Sequence, residues 1–383
     1  MRDGRGWAAG GGAAGGAGTV DAGGGGAAGA AFCVDRGIAA DFAGGGGAGG
    51  GGAGVADGGG VIPVVVLTGF LGSGKTTLLS RLLRTEGFAR TAVIINEFGE
   101  IGLDHELIAT ADESLVQLTT GCLCCAVRGD LTRTLLELAE RGGFERVVVE
   151  TSGLADPAPI LHALMADAAV GRVYALHQVV TVVDAVHGAV ALEAHEEARR
   201  QVAVADRVLF SKTDLCEPGA LRGVVAGLNP LAMVGDIRDA DVVSGVLVEA
   251  FGRERAAMAW MASGSLGARH TAGIGTAVVV RDRAVAGAAL ALWLEALAAH
   301  AGARLLRVKG IVEVAEAPGR PAVIHGVQHV FSPPEWLEGW PSSDRRTRVV
   351  VIGRGIPAYW PVRLLDAIEA EVLDEQSRHA GAG

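Results

Sequence analysis

Three of the five cysteines of this chain lie within four positions, in GCLCC at 121–125. Cys122 and Cys125 have C-x-x-C spacing, with Cys124 between them. A turn of this length can bring two sulfurs to about 2.3 Å from one Zn²⁺, and cobalt can occupy the same geometry. Two alternatives stay open: a redox disulfide between Cys122 and Cys125, or three small packed residues. A metal site of three thiolates would need a fourth ligand from Glu97, water or a second protein.

A second group of residues, GFLGSGKTT at 69–77, has the spacing of a phosphate-binding loop. It follows the apolar run VIPVVVLTGF (61–70) and opens a helical pattern, which is the context that such a loop requires. Lys75 would reach the β- and γ-phosphates, and the Thr76 hydroxyl would bind Mg²⁺. Backbone N–H groups and the helix N-terminus would bind the remaining phosphate oxygens. The predicted nucleotide ligands of this loop are Gly69, Gly72, Ser73, Gly74, Lys75, Thr76 and Thr77.

A carboxylate ends the apolar run in VVVETSGLADP (147–157). At the tip of a strand beside the loop, Glu150 would lie where Mg²⁺ or its waters bind. Gly153 could donate its N–H to a γ-phosphate and so respond to hydrolysis. Together with Lys75, these residues are the candidate catalytic set.

The sequence SKTD at 211–214 resembles the guanine-recognition motif N-K-x-D. Asp214 would accept hydrogen bonds from the guanine N1–H and amino group, and the stem of Lys212 would cover the base. Ser211 replaces the usual Asn and so removes an amide. A simple surface turn after a strand is the alternative interpretation.

The segment NEFGEIG at 96–102 occupies the position of a switch that orders around a γ-phosphate and loosens after hydrolysis. Glu97 and Glu100 supply carboxylates near the expected metal and phosphate. A solvated acidic loop is the alternative for both.

Composition excludes several classes of protein. The chain has 383 residues and a formal net charge of −10 at pH 7, which disfavours nucleic-acid binding because neutralising phosphates needs clustered Lys and Arg. No run approaches the ~18 apolar residues of a membrane span. Five cysteines in a chain of this length do not make a disulfide framework, so we expect a reducing cytoplasmic location.

Only three residues of the chain are lysines: Lys75, Lys212 and Lys309. Since Arg supplies positive charge elsewhere, a retained Lys is consistent with a position where a broad guanidinium would not fit, and chance retention of the three lysines is the alternative. Two of the three lie in the nucleotide motifs. A salt bridge at a domain interface is the simplest role for Lys309.

The order of apolar runs predicts an α/β protein. Residues 1–60, mostly Gly and Ala, cannot bury enough apolar area to order and are expected to be disordered. In 61–235, strands alternate with helices, which indicates a P-loop NTPase domain with a doubly wound, mostly parallel sheet. We interpret 236–275 as a connecting segment and 276–375 as a smaller α+β domain with a mostly antiparallel sheet.

One strand is predicted across the whole of AVIHGVQHVF (322–331). Residues four apart on a strand share a face. His325 and His329 would therefore lie together, either as joint metal ligands or as a surface or core pair.

Taken in order, GFLGSGKTT, NEFGE, GCLCC, ETSGLADP and SKTDL resemble the motifs of CobW-type metal-handling GTPases, in the CobW/HypB/UreG superfamily. The similarity covers about residues 61–360. It extends to LLRVKGI (305–311) and HGVQHVFSPPEWLEGWP (325–341), which are similar to the CobW C-terminal domain.

The resemblance implies GTP hydrolysis with Mg²⁺, coupled to delivery of zinc, cobalt or another transition metal to a client metalloprotein or cofactor-synthesis enzyme. It also implies that Glu150 replaces the Asp of commoner GTPases and that Cys122, Cys124 and Cys125 bind the cargo metal. A GTPase redox sensor and a nucleotide-binding scaffold for a client are the rival functions, and a homodimer stays open. Many relatives carry a histidine-rich stretch between the domains, where this chain has only His270.

Overall fold

The computed structural model describes residues 61–84, 88, 90–96, 115–117, 126–240, 242, 269–271 and 273–380. The expectation of disorder for 1–60 lies outside these residues.

Seven parallel strands of the described part of the chain form the first sheet, in the order β3-β2-β4-β1-β5-β6-β7. Because all of them are parallel, their carboxyl ends meet at one edge of the sheet. Their bounds are β1 Ile62–Thr68, β2 Thr91–Asn96, β3 Leu115–Gln117, β4 Arg146–Thr151, β5 Tyr174–Asp184, β6 Arg207–Ser211 and β7 Met233–Asp236.

Helices cover both faces of this sheet, as the continuous apolar strands predict. In β1, Val65 and Leu67 face the helix Lys75–Leu82, whereas Val64 and Val66 face the helices Ala126–Arg141 and Ala158–Ala166. The helix bounds are α1 Lys75–Leu82, α2 Ala126–Arg141, α3 Ala158–Ala166, α4 Ala168–Gly171, α5 Gly188–Ala194, α6 Glu196–Val204 and α7 Gly219–Leu228. The doubly wound, parallel P-loop fold is confirmed.

A second, antiparallel sheet follows, in the order β12-β11-β10-β14-β9-β8, with β13 paired to β11. Its strands are β8 Arg269–Thr271, β9 Ile274–Arg281, β10 Leu305–Val312, β11 Ala322–Val327, β12 Val330–Phe331, β13 Glu335–Trp336 and β14 Thr347–Arg354. Among the described residues two helices accompany it, α8 Gly287–Ala301 and α9 Trp360–Ala380.

The second sheet is buried on both faces. Along β14, Val349 and Val351 pack against α8 and α9. The alternate residues Val350 and Ile352 pack in one cluster with Val202 of α6 and Val225 of α7. Since alternate residues of a strand point to opposite faces, one face covers the helices of its own unit and the other covers the nucleotide-binding unit.

An ion cluster lies in this interface. The carboxylate of Asp206, immediately before β6, accepts hydrogen bonds from the guanidinium of Arg307 and from Lys309 Nζ, the latter at 2.9 Å. Its other oxygen accepts from the backbone N–H of Val179 at 2.9 Å. Arg307 is fully buried and also donates to the carbonyl of Val204. The interface salt bridge expected for Lys309 is confirmed.

The single strand predicted across 322–331 is wrong. The chain forms a hairpin in which Val327 pairs with Val330, and Gln328 takes a left-handed φ of 51°. His325 therefore stays on β11 opposite Lys309, while His329 lies in the turn and its ring packs edge-on against His162 at 4.9 Å. The two histidines do not share a strand face, because period-two alternation ends where a turn begins.

The connecting segment also ends earlier than its predicted limit of residue 275. Strand β8 and the first residues of β9 pair across Gly273, which has a left-handed φ of 79°. The glycine-rich composition around this position indicates a hairpin turn as readily as a linker.

Among the helices that the structure describes, none is long and apolar enough to cross a bilayer.

Replacement of Asp206 by Ala should strongly destabilise the protein, because it leaves the Arg307 charge buried without its carboxylate. We expect the free energy of unfolding to fall by about 3–5 kcal/mol, measured by urea denaturation of the full chain. Glu338→Ala is the matched control, since Glu338 is 90% exposed and lies 3.6 Å from Arg320; it should cost less than about 1 kcal/mol. Equal losses in the two variants would contradict the role of the cluster.

His325 should make stability depend on pH. Burial, and then the charge of Arg307, lower the pKa of His325 to about 3, from an ordinary value of 6.5. Between these values the unfolded chain binds one more proton than the folded chain, so stability falls as the pH drops below 6.5, by up to ~1.4 kcal/mol per pH unit. His325→Gln should show a shallower pH dependence of unfolding between about pH 6.5 and 4.5.

The control for this experiment is His379→Gln, because His379 is exposed near the end of α9. Its unfolding free energy should follow the wild-type pH dependence. Parallel curves for His325→Gln and the wild type would show that His325 does not titrate as expected.

Candidate nucleotide site

The loop between β1 and α1 has a backbone that only glycine accommodates at two points. Gly69 has a φ of +147°, and a Cβ there would lie 2.4 Å from the carbonyl oxygen of Val182. Gly74 has a φ of +95° and immediately precedes Lys75, the first residue of α1. The loop thus turns tightly into a helix N-terminus, whose N–H groups and dipole favour a phosphate.

Lys75 bends back over this loop. Its Nζ donates a hydrogen bond to the carbonyl oxygen of Gly69 at 2.9 Å, and its side chain is buried. A cation is therefore held at the mouth of the loop, where it could neutralise phosphate oxygens.

Thr76 and Glu150 meet at the carboxyl edge of the sheet. The Thr76 hydroxyl donates to Glu150 Oε1 at 2.8 Å, and Glu150 is 1% exposed. The contact follows from the register of the neighbouring strands, in which Leu67 of β1 pairs with Glu150 of β4. A hydroxyl and a carboxylate in contact fit Mg²⁺, which prefers oxygen ligands; these two residues would hold it, directly or through water.

Gly153 lies directly against the phosphate-binding loop. A Cβ at this position would lie 2.8 Å from the backbone nitrogen of Leu71 and 2.9 Å from its Cα. The amide of Gln201 fixes the same segment, because its Nε2 donates to the carbonyls of Gly153 and Ala155, each at 3.1 Å. A movement of the loop would therefore displace the segment after β4, and a movement of that segment would displace the loop.

The SKTD segment is joined to the phosphate-binding loop through its first residue. The hydroxyl of Ser211 donates to the carbonyl oxygen of Ser73 at 2.6 Å, in a buried position. A serine at this position thus ties the motif to the loop without an amide. Lys212 has a left-handed φ of 54°, and its Nζ donates to Asp184 Oδ2 at 2.7 Å.

Asp184 also lies in the candidate site, although none of the sequence motifs includes it. Besides Lys212 it accepts hydrogen bonds from the backbone N–H of Val186 at 2.8 Å and of His187 at 3.3 Å. Burial acts to raise the pKa of Asp184, but these hydrogen bonds, that from Lys212 first, outweigh it and lower the pKa below its ordinary value. The available signal was an acid at the end of the apolar run QVVTVVD, the same position that Glu150 holds on its strand.

Several predicted residues have no described contact that tests their role. Asp214 and Thr77 are exposed, so their contacts to a nucleotide stay predictions. Glu97, Glu100 and the three clustered cysteines, Cys122, Cys124 and Cys125, lie outside the described residues. Within the described ranges, no group of three His, Cys, Asp or Glu residues could hold a metal ion.

Family models match both parts of the chain. The model "CobW/HypB/UreG, nucleotide-binding domain" matches residues 63–232, and the model "Cobalamin synthesis protein cobW C-terminal domain" matches residues 274–369. The two matches coincide with the parallel and the antiparallel sheet.

Named relatives are similar to 45–77% of the chain. The zinc chaperone YjiA of Escherichia coli is 33% identical over 304 residues, which are 77% of this chain and 95% of the relative. The zinc-regulated GTPase metalloprotein activator 1 of Schizosaccharomyces pombe is 33% identical over 184 residues, 45% of each protein.

Solved structures of YjiA GTPase share the fold over most of this chain. Zn(II)-bound YjiA from Escherichia coli has a TM-score of 0.61 at 27% identity, and the match covers 81% of this chain and 99% of that one. A Zn(II)-bound triple mutant, with one Glu and two Cys replaced by Ala, has a TM-score of 0.62 at 26% identity and the same coverage. The chain therefore belongs to the CobW family of P-loop GTPases, with a CobW/HypB/UreG nucleotide-binding domain followed by a CobW C-terminal domain.

Proposed function

We propose that this protein is a GTP-hydrolysing metallochaperone of the cytoplasm, which binds zinc, or cobalt in its place, and delivers it to a client metalloprotein or cofactor-synthesis enzyme. The observation that carries the proposal is the 2.8 Å hydrogen bond between Thr76 and Glu150. This contact places a hydroxyl that can bind Mg²⁺ next to a carboxylate at one edge of the sheet. Strands β2 and β3, which precede the predicted switch and the clustered cysteines, end at the same edge.

In this proposal the nucleotide is GTP. Lys75 exchanges its hydrogen bond with Gly69 for the β- and γ-phosphates, and Gly153 donates its N–H to the γ-phosphate. Mg²⁺ on Thr76 and Glu150, when bound, neutralises phosphate charge. Asp214 accepts from the guanine base, and the pairing of Lys212 with Asp184 holds the motif in place for that contact.

The connectivity of the sheet supports a link between the nucleotide and the cargo metal. Strand β2 ends at Asn96, which pairs with Thr151 beside Glu150, and Glu97 follows directly. Strand β3 ends at Gln117, opposite Ile95 of β2, and the cysteines follow at 122–125. Both segments therefore leave the sheet at the edge that carries the nucleotide site, so loosening of one after hydrolysis would disturb a metal bound by both.

Names of relatives favour zinc as the cargo, since YjiA is a zinc chaperone. The zinc-bound triple mutant of YjiA also shows that zinc is present in a crystal without one Glu and two of the cysteines. Metal stoichiometry alone would therefore not identify the thiol site, and the decisive measurement must detect sulfur ligation.

Replacement of Cys122 or Cys125 by Ser should abolish thiolate binding of metal while nucleotide binding is retained. The full chain loaded with Co²⁺ should show sulfur-to-cobalt charge-transfer absorption, because thiolates bind cobalt in the geometry of zinc. Both variants should lose most of this absorption and about one metal equivalent per chain. Cys216→Ser is the matched control, because Cys216 is exposed and free, and it should retain both.

An unchanged cobalt spectrum in both variants would rule out the thiol site. A reversible disulfide between Cys122 and Cys125 that forms without any bound metal would favour the redox sensor instead.

Blocking hydrolysis should block release of the metal. Glu150→Gln keeps the size of the side chain but removes its charge from beside Thr76, so we expect GTP turnover to fall by at least about 100-fold. In the wild type, GTP should accelerate transfer of Zn²⁺ to a competing chelator, whereas Glu150→Gln should show the same slow transfer with or without GTP. Equal acceleration by GTP in the two proteins would show that release does not depend on hydrolysis.

A further inference from the structure

The last residue of β7, Asp236, holds the segment that is predicted to recognise the nucleotide base. Its Oδ2 accepts a hydrogen bond from the hydroxyl of Thr213 at 2.6 Å. The contact follows from the parallel pairing of β6 and β7, in which Phe210 lies opposite Asp236 and the SKTD segment leaves the sheet at the same edge. Asp236 thus has the place at the end of its strand that Asp184 has on β5, and none of the sequence motifs includes it.

Several contacts fix the orientation of this carboxylate. Its Oδ1 accepts from the backbone N–H of Arg238 at 2.8 Å, and its Oδ2 accepts from a guanidinium nitrogen of the same residue at 3.1 Å. Burial acts to raise the pKa of Asp236, but the hydrogen bonds from Arg238 and Thr213 outweigh it and lower the pKa below its ordinary value. The group is therefore a carboxylate near neutral pH, and a hydrogen bond from a hydroxyl to a carboxylate is stronger than one between neutral groups.

The three residues before Asp214 are each held by a different part of the nucleotide-binding domain. Ser211 donates to the phosphate-binding loop, Lys212 donates to the end of β5, and Thr213 donates to the end of β7. Ser211 and Thr213 are buried, whereas Asp214 is exposed. Because Thr213 directly precedes Asp214, its hydrogen bond to β7 fixes the backbone from which the Asp214 carboxylate extends.

We propose that Asp236 is a positioning residue for recognition of the guanine base, and that it acts through Thr213 on the direction of Asp214. The inference rests on the proposed function, in which Asp214 accepts hydrogen bonds from the base. Guanine presents two donors side by side, N1–H and the 2-amino group, and both must align with one carboxylate, since hydrogen bonds weaken steeply when they are bent. Adenine lacks this pair of donors. A displaced Asp214 therefore loses affinity for guanine nucleotides and not for adenine nucleotides.

The test begins with Thr213→Val, which keeps the shape of the side chain and removes its hydroxyl. The affinities of the full chain for GDP and for ADP are measured by displacement of a fluorescent nucleotide. We expect the Kd for GDP to rise at least about tenfold, because the hydrogen bonds to Asp214 are misaligned, and the Kd for ADP to stay unchanged. Loss of affinity for both nucleotides by the same factor would indicate a merely structural role and overturn the proposal.

GTP turnover separates positioning of the base from the chemical step. A contact with the base is the same in the ground state and the transition state, so its loss raises KM and leaves kcat unchanged. Thr213→Val should therefore raise the KM for GTP at least about tenfold with kcat within about twofold of the wild type. Thr213→Ser retains the hydroxyl and should keep the wild-type KM. A fall in kcat without a change in KM would refute the proposal.

The second partner of the hydrogen bond gives an independent variant. Asp236→Ala should weaken GDP binding as Thr213→Val does, and the double variant should bind GDP no more weakly than Asp236→Ala alone, because both changes remove one interaction. Effects that multiply in the double variant would show that the two residues do not act together.

Thr132→Val is the matched control, because it also removes a hydrogen bond from a threonine to an aspartate. The Thr132 hydroxyl donates to Asp167 Oδ2 at 3.3 Å, between α2 and the start of α4. This variant should bind GDP like the wild type, and thermal unfolding of all the variants checks that they fold. An equal loss of GDP affinity in Thr132→Val would show that the effect is not specific to the SKTD segment and would contradict the proposal.

Asp214→Ala distinguishes failure of this inference from failure of the proposed function. If Asp214→Ala leaves the preference for GDP over ADP unchanged, the assignment of Asp214 to the base is wrong, and the positioning role falls with it. If Asp214→Ala abolishes the preference while Thr213→Val and Asp236→Ala preserve it, only the positioning role of Asp236 is overturned.

Discussion

The carboxylate of Asp206 joins the two halves of this protein and supports the strands that carry its chemistry. It accepts from Arg307 and Lys309 of the second sheet and from the backbone of Val179 in β5. Strand β6 begins at the next residue and ends at Ser211, while β5 ends at Asp184. Strand β6, which leads into the SKTD segment, is therefore tied at its start to the C-terminal sheet, and β5 is tied to the same carboxylate near its middle, at Val179. Removing one partner of such a buried pair destabilises the fold, because the other charge stays buried without a counter-charge.

The candidate nucleotide site depends on two places where backbone segments approach so closely that no side chain fits between them. Gly69 lies against the carbonyl of Val182, and Gly153 lies against the backbone of Leu71. These contacts pack the loop after β1 directly against the segment after β4 and against β5. Thr76 can then reach Glu150, and Ser211 can reach Ser73. Rigid positioning of this kind is what phosphoryl transfer requires, because its catalysis consists mostly of positioning and charge stabilisation.

The lysines illustrate what residue type alone can predict about a position. A chain that uses Arg almost everywhere keeps Lys at 75, 212 and 309, and each ammonium makes a defined contact, with Gly69, Asp184 and Asp206 respectively. The histidines illustrate the limit. His325 and His329 fit one strand by alternation, yet the hairpin turn at Gln328 separates them. Local alternation carries no information about where a chain reverses when the turn lacks Gly, Asn or Asp.

By itself the sequence determined the parallel P-loop fold and the antiparallel domain after it, and it predicted the loop, carboxylate and SKTD residues of the candidate nucleotide site. Apolar periodicity and motif spacing are local properties, and they sufficed for this. Only the tertiary structure decided that Asp184 holds Lys212, that Ser211 ties its motif to the loop, and that Gln201 fixes the segment of Gly153. Each of these contacts joins residues that are far apart in the chain, and its existence depends on the packing of strands and helices between them.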